Sequence, residues 1–154
     1  MPNTITRERP DTPDARALIA ELDALLEPLY PIDARYGFSV DKLIAQNVEF
    51  FVVRADGAAA GCGGIKFFGD EFGELKRMFV RPQFRGKGLA KMLLVHLENL
   101  ARSRRVPLLR LETGVHQHDA IAMYEKFGFY RIPPFDVYTD DPISRCYEKK
   151  IQPA

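Results

Sequence analysis

The chain has 154 residues, of which 46% are hydrophobic and 28% charged, with a net charge of +1; these proportions suit one soluble globular domain, here 1–154, with a single substantial core. The balance excludes a global field that would gather nucleic acid or anionic lipid, and no run of about 18 apolar residues could cross a membrane as a helix. Two distant cysteines, Cys62 and Cys146, and three histidines, His96, His116 and His118, fit neither a disulfide scaffold nor a metal site, and the polar start Met1-Pro2-Asn3-Thr4 lacks a signal-peptide core, so a cytoplasmic, metal-free protein is expected.

Ile5 to Arg9 reads as a short strand stopped by Pro10. Asp11-Thr12-Pro13 then signals a helix start, and Leu18, Ile19, Leu22, Leu25, Leu26 and Leu29 recur at helical spacing, predicting a helix from Asp14 to Leu29. Tyr30-Pro31 closes it, and Ser39 caps a second short helix carrying Leu43 and Ile44. Val48 to Arg54 is β-branched and aromatic, hence a strand. Asp56-Gly57 is a hairpin turn, and Ala58 to Phe68 is its partner, with glycines at 61, 63 and 64 that mark a bulge or a close approach. Gly69-Asp70 turns the chain into a third strand, Phe72 to Val80, ended by Pro82.

A glycine-containing loop leads into a long helix whose apolar stripe is Leu89, Met92, Leu93, Leu97 and Leu100. Val106 to Glu112 is a buried-type strand, Asp119 to Lys126 a helix with Gly128 at its end, and Phe129 to Ile132 and Arg145 to Ile151 the last strands. This order predicts an α/β (α+β) domain with a mixed, mostly antiparallel sheet of about six or seven strands and about four helices.

The segment Gln83-Phe84-Arg85-Gly86-Lys87-Gly88-Leu89-Ala90 joins a strand to a helix. Orphan amides and the positive end of the helix dipole meet there, and glycine admits a ligand to the backbone. The natural guest is a pyrophosphate, with Arg81, Arg85, Lys87 and Lys91 as further cations. A P-loop would need GxxxxGK[ST], and a dinucleotide fingerprint a third glycine; both are missing.

Gln83-Phe84-Arg85-Gly86-Lys87-Gly88 resembles in full the [Gln/Arg]-x-x-Gly-x-[Gly/Ala] signature of the GNAT superfamily of acyl-CoA N-acyltransferases. Leu75 to Pro82 resembles the strand before that signature. Leu111-Glu112-Thr113 followed by Ala120 to Phe129 resembles the superfamily's second motif, with Gln117 where members often carry Asn. The resemblance implies the GNAT fold, splayed between the fourth and fifth strands, and acetyl-CoA as co-substrate without a metal. The pantetheine arm would lie on the backbone of Met78, Phe79 and Val80. The pyrophosphate would lie on the amides of Arg85, Gly86, Lys87, Gly88, Leu89 and Ala90, beside Gln83, with Gln117 and Tyr124 nearby.

Acyl transfer to an amine needs a proton acceptor, a polarised carbonyl and a proton for the leaving thiolate. By the same resemblance Tyr124 is the expected acid and Glu74 the expected base; Glu112, at the end of the fifth strand, is its substitute. His116 and His118 are candidates for a proton shuttle. Cys62 reads as a small buried strand residue, and Arg102 to Arg105 as the basic end of a helix. The acceptor should meet the first two helices and the loops carrying Tyr36, Phe38, Phe135 and Tyr138 beside Asp33, Asp136, Asp140 and Asp141, which suits a small primary amine. Acetylation of a protein lysine or N-terminus, and a non-catalytic acyl-CoA-binding domain, are the alternatives. A homodimer is expected.

Overall fold

The computed structural model describes residues 3–31 and 38–152. Its elements in chain order are β1 (Asn3–Arg7), α1 (Pro13–Leu26), α2 (Val40–Ala45), β2 (Glu49–Ala55), β3 (Ala58–Phe68), β4 (Phe72–Val80), α3 (Leu89–Ser103), β5 (Leu108–Gly114), α4 (His118–Lys126), β6 (Tyr130–Ile132) and β7 (Ser144–Lys150). The seven strands form one sheet in the order β1-β2-β3-β4-β5-β7-β6. Only β4 and β5 pair in parallel; the other neighbours are antiparallel.

Local chemistry explains most boundaries. The Thr12 hydroxyl caps α1 by accepting from the Ala15 amide at 3.2 Å, with Pro13 in the first turn, where its missing N–H costs nothing. The apolar period predicts α1 to Leu29, but the helix stops at Leu26 because the chain tightens: the Leu29 and Tyr30 amides both donate to the Leu26 carbonyl. Leu25 and Leu29 are therefore exposed, while Tyr30 turns inward and is buried. Asp56 and Gly57 both have positive φ (50° and 82°), the geometry of the predicted two-residue hairpin. At the end of α4 the Phe129 amide reaches the Tyr124 carbonyl and the Gly128 amide that of Glu125, a Schellman ending in which Gly128 (φ 105°) takes the left-handed position.

Two cores sandwich the sheet. Leu89, Leu93, Leu94 and Leu97 of α3 are buried with Leu75, Leu109, Leu111 and Tyr124 on one face. Leu18, Ile19 and Leu22 of α1 are buried with Leu43, Phe50, Val52 and Phe79 on the other. Each fully buried leucine contributes about 1.5–3 kcal/mol, so the sheet is a rigid platform held on both sides.

Two irregularities shape its middle. Gly64 pairs with Lys76 and Cys62 with Phe79, so Arg77 and Met78 together oppose Gly63. This is a bulge on β4, with Arg77 at φ 57°. A Cβ at Gly63 would stand 2.4 Å from the Met78 sulfur, which is why the strand opposite the bulge carries glycine. The second irregularity is the parallel ladder between β4 and β5. It consists of Gly73 with Leu109 and Glu74 with Arg110; beyond Glu74 the strands part, as expected.

Candidate active site

The parted strands open a cleft of about 380 Å³. Its walls are Leu75 to Met78 of β4, Leu111 to Gly114 of β5, the C-terminal turns of α1 with Tyr30, the α4 residues Ala120 and Tyr124 with Gln117 before them, and Tyr138 from the segment between β6 and β7. Among the described residues β4 has no ladder partner on its β5 side past Glu74, so the Met78–Val80 backbone has an open edge on which an extended ligand can pair.

Glu112 lines this cleft. Burial lifts its carboxyl from 4.5 to about 7, opposed by a hydrogen bond from Ser144 and by the nearby Lys76 charge. The Ser144 hydroxyl donates to Oε2 at 2.6 Å. A carboxyl tuned to neutrality at a cleft wall is what a general base requires.

Glu74, the expected base, sits elsewhere. It is 1% exposed and does not line the cleft. Its Oε2 is bonded by the Lys76 ammonium at 2.9 Å and by the Tyr138 hydroxyl. Lys76 in turn donates to the Tyr138 oxygen at 2.8 Å and lies 4.0 Å over the Phe38 ring. A carboxylate so engaged has a poor claim on a substrate proton. Lys76 escapes a reading by motif, although its alternation with Glu74 on one strand is the signal that would have paired them, and Tyr138 is expected from the sequence only as an acceptor-loop residue.

Tyr124 is 6% exposed, lines the cleft and packs edge-on against Phe129. Burial raises its phenol above the ordinary value, so it keeps its proton and can deliver one. Among the described residues its hydroxyl makes no hydrogen bond, which leaves it open to a ligand. Gln117 accepts a hydrogen bond from the Tyr30 hydroxyl, and that oxygen accepts from the His116 amide at 3.0 Å. Tyr30 thereby ties the end of α1 to the β5–α4 loop across the cleft. Gly114 makes room for it, since a Cβ there would stand 2.0 Å from the Tyr30 oxygen. His116 and His118 are exposed and line neither this cleft nor the cavity described next. Asp33 and Tyr36 lie outside the described residues.

A second cavity, of about 270 Å³, opens at the start of α3 among Val80, Arg85, Gly86, Gly88, Leu89 and Ala90. Gly86 and Gly88 have φ of 79° and 77°, and a Cβ on either would meet nothing within 4 Å. These glycines serve the backbone conformation and leave its surface bare. The amides of Gly86, Lys87 and Gly88 donate to no backbone carbonyl among the described residues, whereas that of Arg85 is engaged by Pro82 at 3.2 Å. Arg85 and Lys87 are exposed at this turn, and Gln83 is exposed on the single 3-10 turn before it. Arg81 does not join them, for its guanidinium grips Glu21 of α1 at 2.6 Å and the Ala59 carbonyl at 2.8 Å. Phe79 is buried toward α1, which leaves only its main chain for a ligand. Bare amides, left-handed glycines and exposed cations fit a pyrophosphate.

The sequence model of the Acetyltransferase (GNAT) family matches residues 15–129. An IAA acetyltransferase of Azospirillum brasilense is 40% identical over 153 residues, covering 98% of this chain and 100% of the relative. A Klebsiella pneumoniae protein whose crystal structure is assigned as an acyl-CoA N-acyltransferase is 40% identical, with a TM-score of 0.82 over 96% of this chain and 97% of that one. The fold is also that of the PaiA N-acetyltransferase of Thermoplasma acidophilum, solved in complex with coenzyme A, at 20% identity and a TM-score of 0.79 over 98% of this chain and 100% of that one.

Proposed function

Because the chain belongs to the GNAT acetyltransferase family, an acyltransferase fold that uses acetyl-CoA, we propose that it acetylates the primary amine of a small molecule by direct attack in a ternary complex. The observation that carries this reading is the cleft itself: one cavity of about 380 Å³ holds a near-neutral carboxyl and a protonated phenol on its walls. Cavities of that size suit small ligands. Tyr30 bridges the cleft from α1 to the β5–α4 loop, which favours a compact acceptor over an extended peptide.

Acetyl-CoA supplies the activated thioester carbonyl. The turn at Gly86 to Ala90 holds its pyrophosphate, and the open edge of Met78 to Val80 its pantetheine arm. Glu112 takes the proton from the acceptor ammonium, so that a neutral amine nitrogen forms the new C–N bond. As the C–S bond breaks, Tyr124 gives its proton to the departing sulfur and regains one from the acylated nitrogen, while Glu112 passes the ammonium proton to solvent. Glu112 thus takes over the role expected of Glu74. The balance is one amide formed, one thioester broken and one thiol released, with no covalent enzyme intermediate.

The test is thiol release from acetyl-CoA with a panel of alkyl monoamines, diamines, amino acids and arylamines, run beside lysine-bearing and free-N-terminus peptides, with products weighed by mass spectrometry. Turnover of a panel amine that E112Q and Y124F both lose is the expected result. Turnover of the peptides alone contradicts the small-molecule reading, and binding of acetyl-CoA without any turnover supports a non-catalytic domain.

A further inference from the structure

An ion pair is buried beside the proposed base, and the reaction as written makes no use of it. Glu74 and Lys76 alternate on β4, as Arg110 and Glu112 do on β5, and Leu75, Leu109 and Leu111 between them pack on the α3 side. All four polar residues therefore share the face toward α1. The side chains of Lys76 and Glu74 are 6% and 1% exposed. The ammonium is clamped on three sides, by Glu74 Oε2 at 2.9 Å, the Tyr138 oxygen at 2.8 Å and the Phe38 ring at 4.0 Å. Held in this way it is not free to swing onto a substrate.

Stability does not account for the pair. Desolvating two ions commonly offsets their attraction. Here Glu74 Oε1 is buried without a hydrogen-bond partner among the described residues, a further cost. What such a pair does impose is a fixed field on the cleft, because Lys76 and Glu112 line the same cavity. The groups that interact with Glu112 are Lys76 and Glu74 from β4, Tyr30 after α1, Tyr138 and Asp141 from the segment before β7, and Ser144 and Cys146 on β7. Lys76 is the cation in that set.

We propose that Lys76, clamped by Glu74 and Tyr138, is a positioning residue of the transfer reaction, its immobile ammonium keeping Glu112 ionised and able to take the amine proton. The proposal rests on Glu112 being the base. It makes the two members of one ion pair opposite in effect: Lys76 favours the Glu112 carboxylate and Glu74 disfavours it. Loss of packing alone would not shift the Glu112 midpoint in opposite directions for the two variants, whereas loss of a nearby cation and of a nearby anion does.

The experiment reads Glu112 directly, without an acceptor. Protein labelled with carboxyl-13C glutamate is titrated by NMR, and the Glu112 resonance is assigned by its loss in E112Q. The parent midpoint should lie near neutrality. K76M should raise it by about one pH unit, a tenfold loss of carboxylate on the acid side. E74Q should lower it, K76R should leave it near the parent, and E74Q/K76M should fall between the singles. The double variant also keeps the test alive should K76M fail to fold, since it removes both charges together. Circular dichroism and acetyl-CoA binding confirm the fold of each protein. With an acceptor in hand, the acidic limb of kcat/KM should follow the same order. Midpoints that move in the same direction for K76M and E74Q, or do not move, overturn the proposal. An E112Q enzyme as active as the parent would instead overturn the base assignment, and the positioning role with it, whatever the NMR order.

Discussion

Replacing Glu112 by Gln separates the cost of a functional carboxylate from its use. In the fold its carboxyl titrates near 7, against an ordinary value of 4.5, because burial disfavours the charge. A folded-state value above the unfolded one means that the native protein holds the proton more tightly. Its contribution to stability is therefore complete below about pH 4.5 and is lost as pH rises through 7. At about 1.4 kcal/mol per pH unit, the rise corresponds to about 3 kcal/mol. Gln carries no charge at any pH and can still accept the Ser144 hydrogen bond. E112Q should then match the parent in stability near pH 4, and exceed it above pH 8 by a margin that approaches about 3 kcal/mol and shrinks where solvent reaches the site. Urea denaturation at pH 4, 6 and 8.5 measures the difference. The same variant should lose about 10²-fold or more in kcat/KM, as expected for a general base. E112Q that is less stable than the parent at pH 8.5, or offset equally at every pH, would refute the argument that this carboxyl is strained toward neutrality.

Four further substitutions probe the surrounding geometry. Y124F should lower kcat by about 10²-fold while leaving the acetyl-CoA dissociation constant near that of the parent, as measured by calorimetry, because only the proton donor is removed. Y30F removes a hydroxyl that accepts from the His116 amide and donates to Gln117; a loss of about 1–2 kcal/mol in denaturant stability should accompany a higher KM for the acceptor. G61A should destabilise by about 2 kcal/mol or more, since its Cβ would stand 2.5 Å from the Phe79 carbonyl oxygen, whereas G63A, whose nearest atom is the flexible Met78 side chain, should cost less.

Elements whose signals are local were legible in the sequence. Asp56-Gly57 could only be a tight hairpin, Thr12-Pro13 a helix start and Gly128 a helix end, and the bare turn at Gly86 and Gly88 stands where the glycines put it. The glycines at 61, 63 and 64 marked the bulge on β4 but not which residue protrudes, since that depends on the β3–β4 register. The end of α1 was misjudged because the apolar period continues through Leu25 and Leu29, two side chains left exposed in the fold. Arg81 was placed with the phosphate-binding cations because sequence proximity cannot show Glu21 reaching it from α1, 60 residues away. The choice between Glu74 and Glu112 turns on the same kind of knowledge. Both carboxylates lie on strands beside the cleft, and only tertiary packing brings Tyr138 onto the Glu74–Lys76 pair and leaves Glu112 at the cleft wall.

Isothermal titration of acetyl-CoA into the parent protein, G86A and G86E tests the account most directly. The positive φ at Gly86 makes any side chain there strained, so G86A reports the backbone cost alone, while G86E adds a carboxylate where the pyrophosphate is held. Saturable one-to-one binding to the parent, weakened in G86A and lost in a folded G86E, is the predicted result. Absence of binding to the folded parent, or equal affinity in all three proteins, would contradict the placement of the cofactor and the reaction built on it.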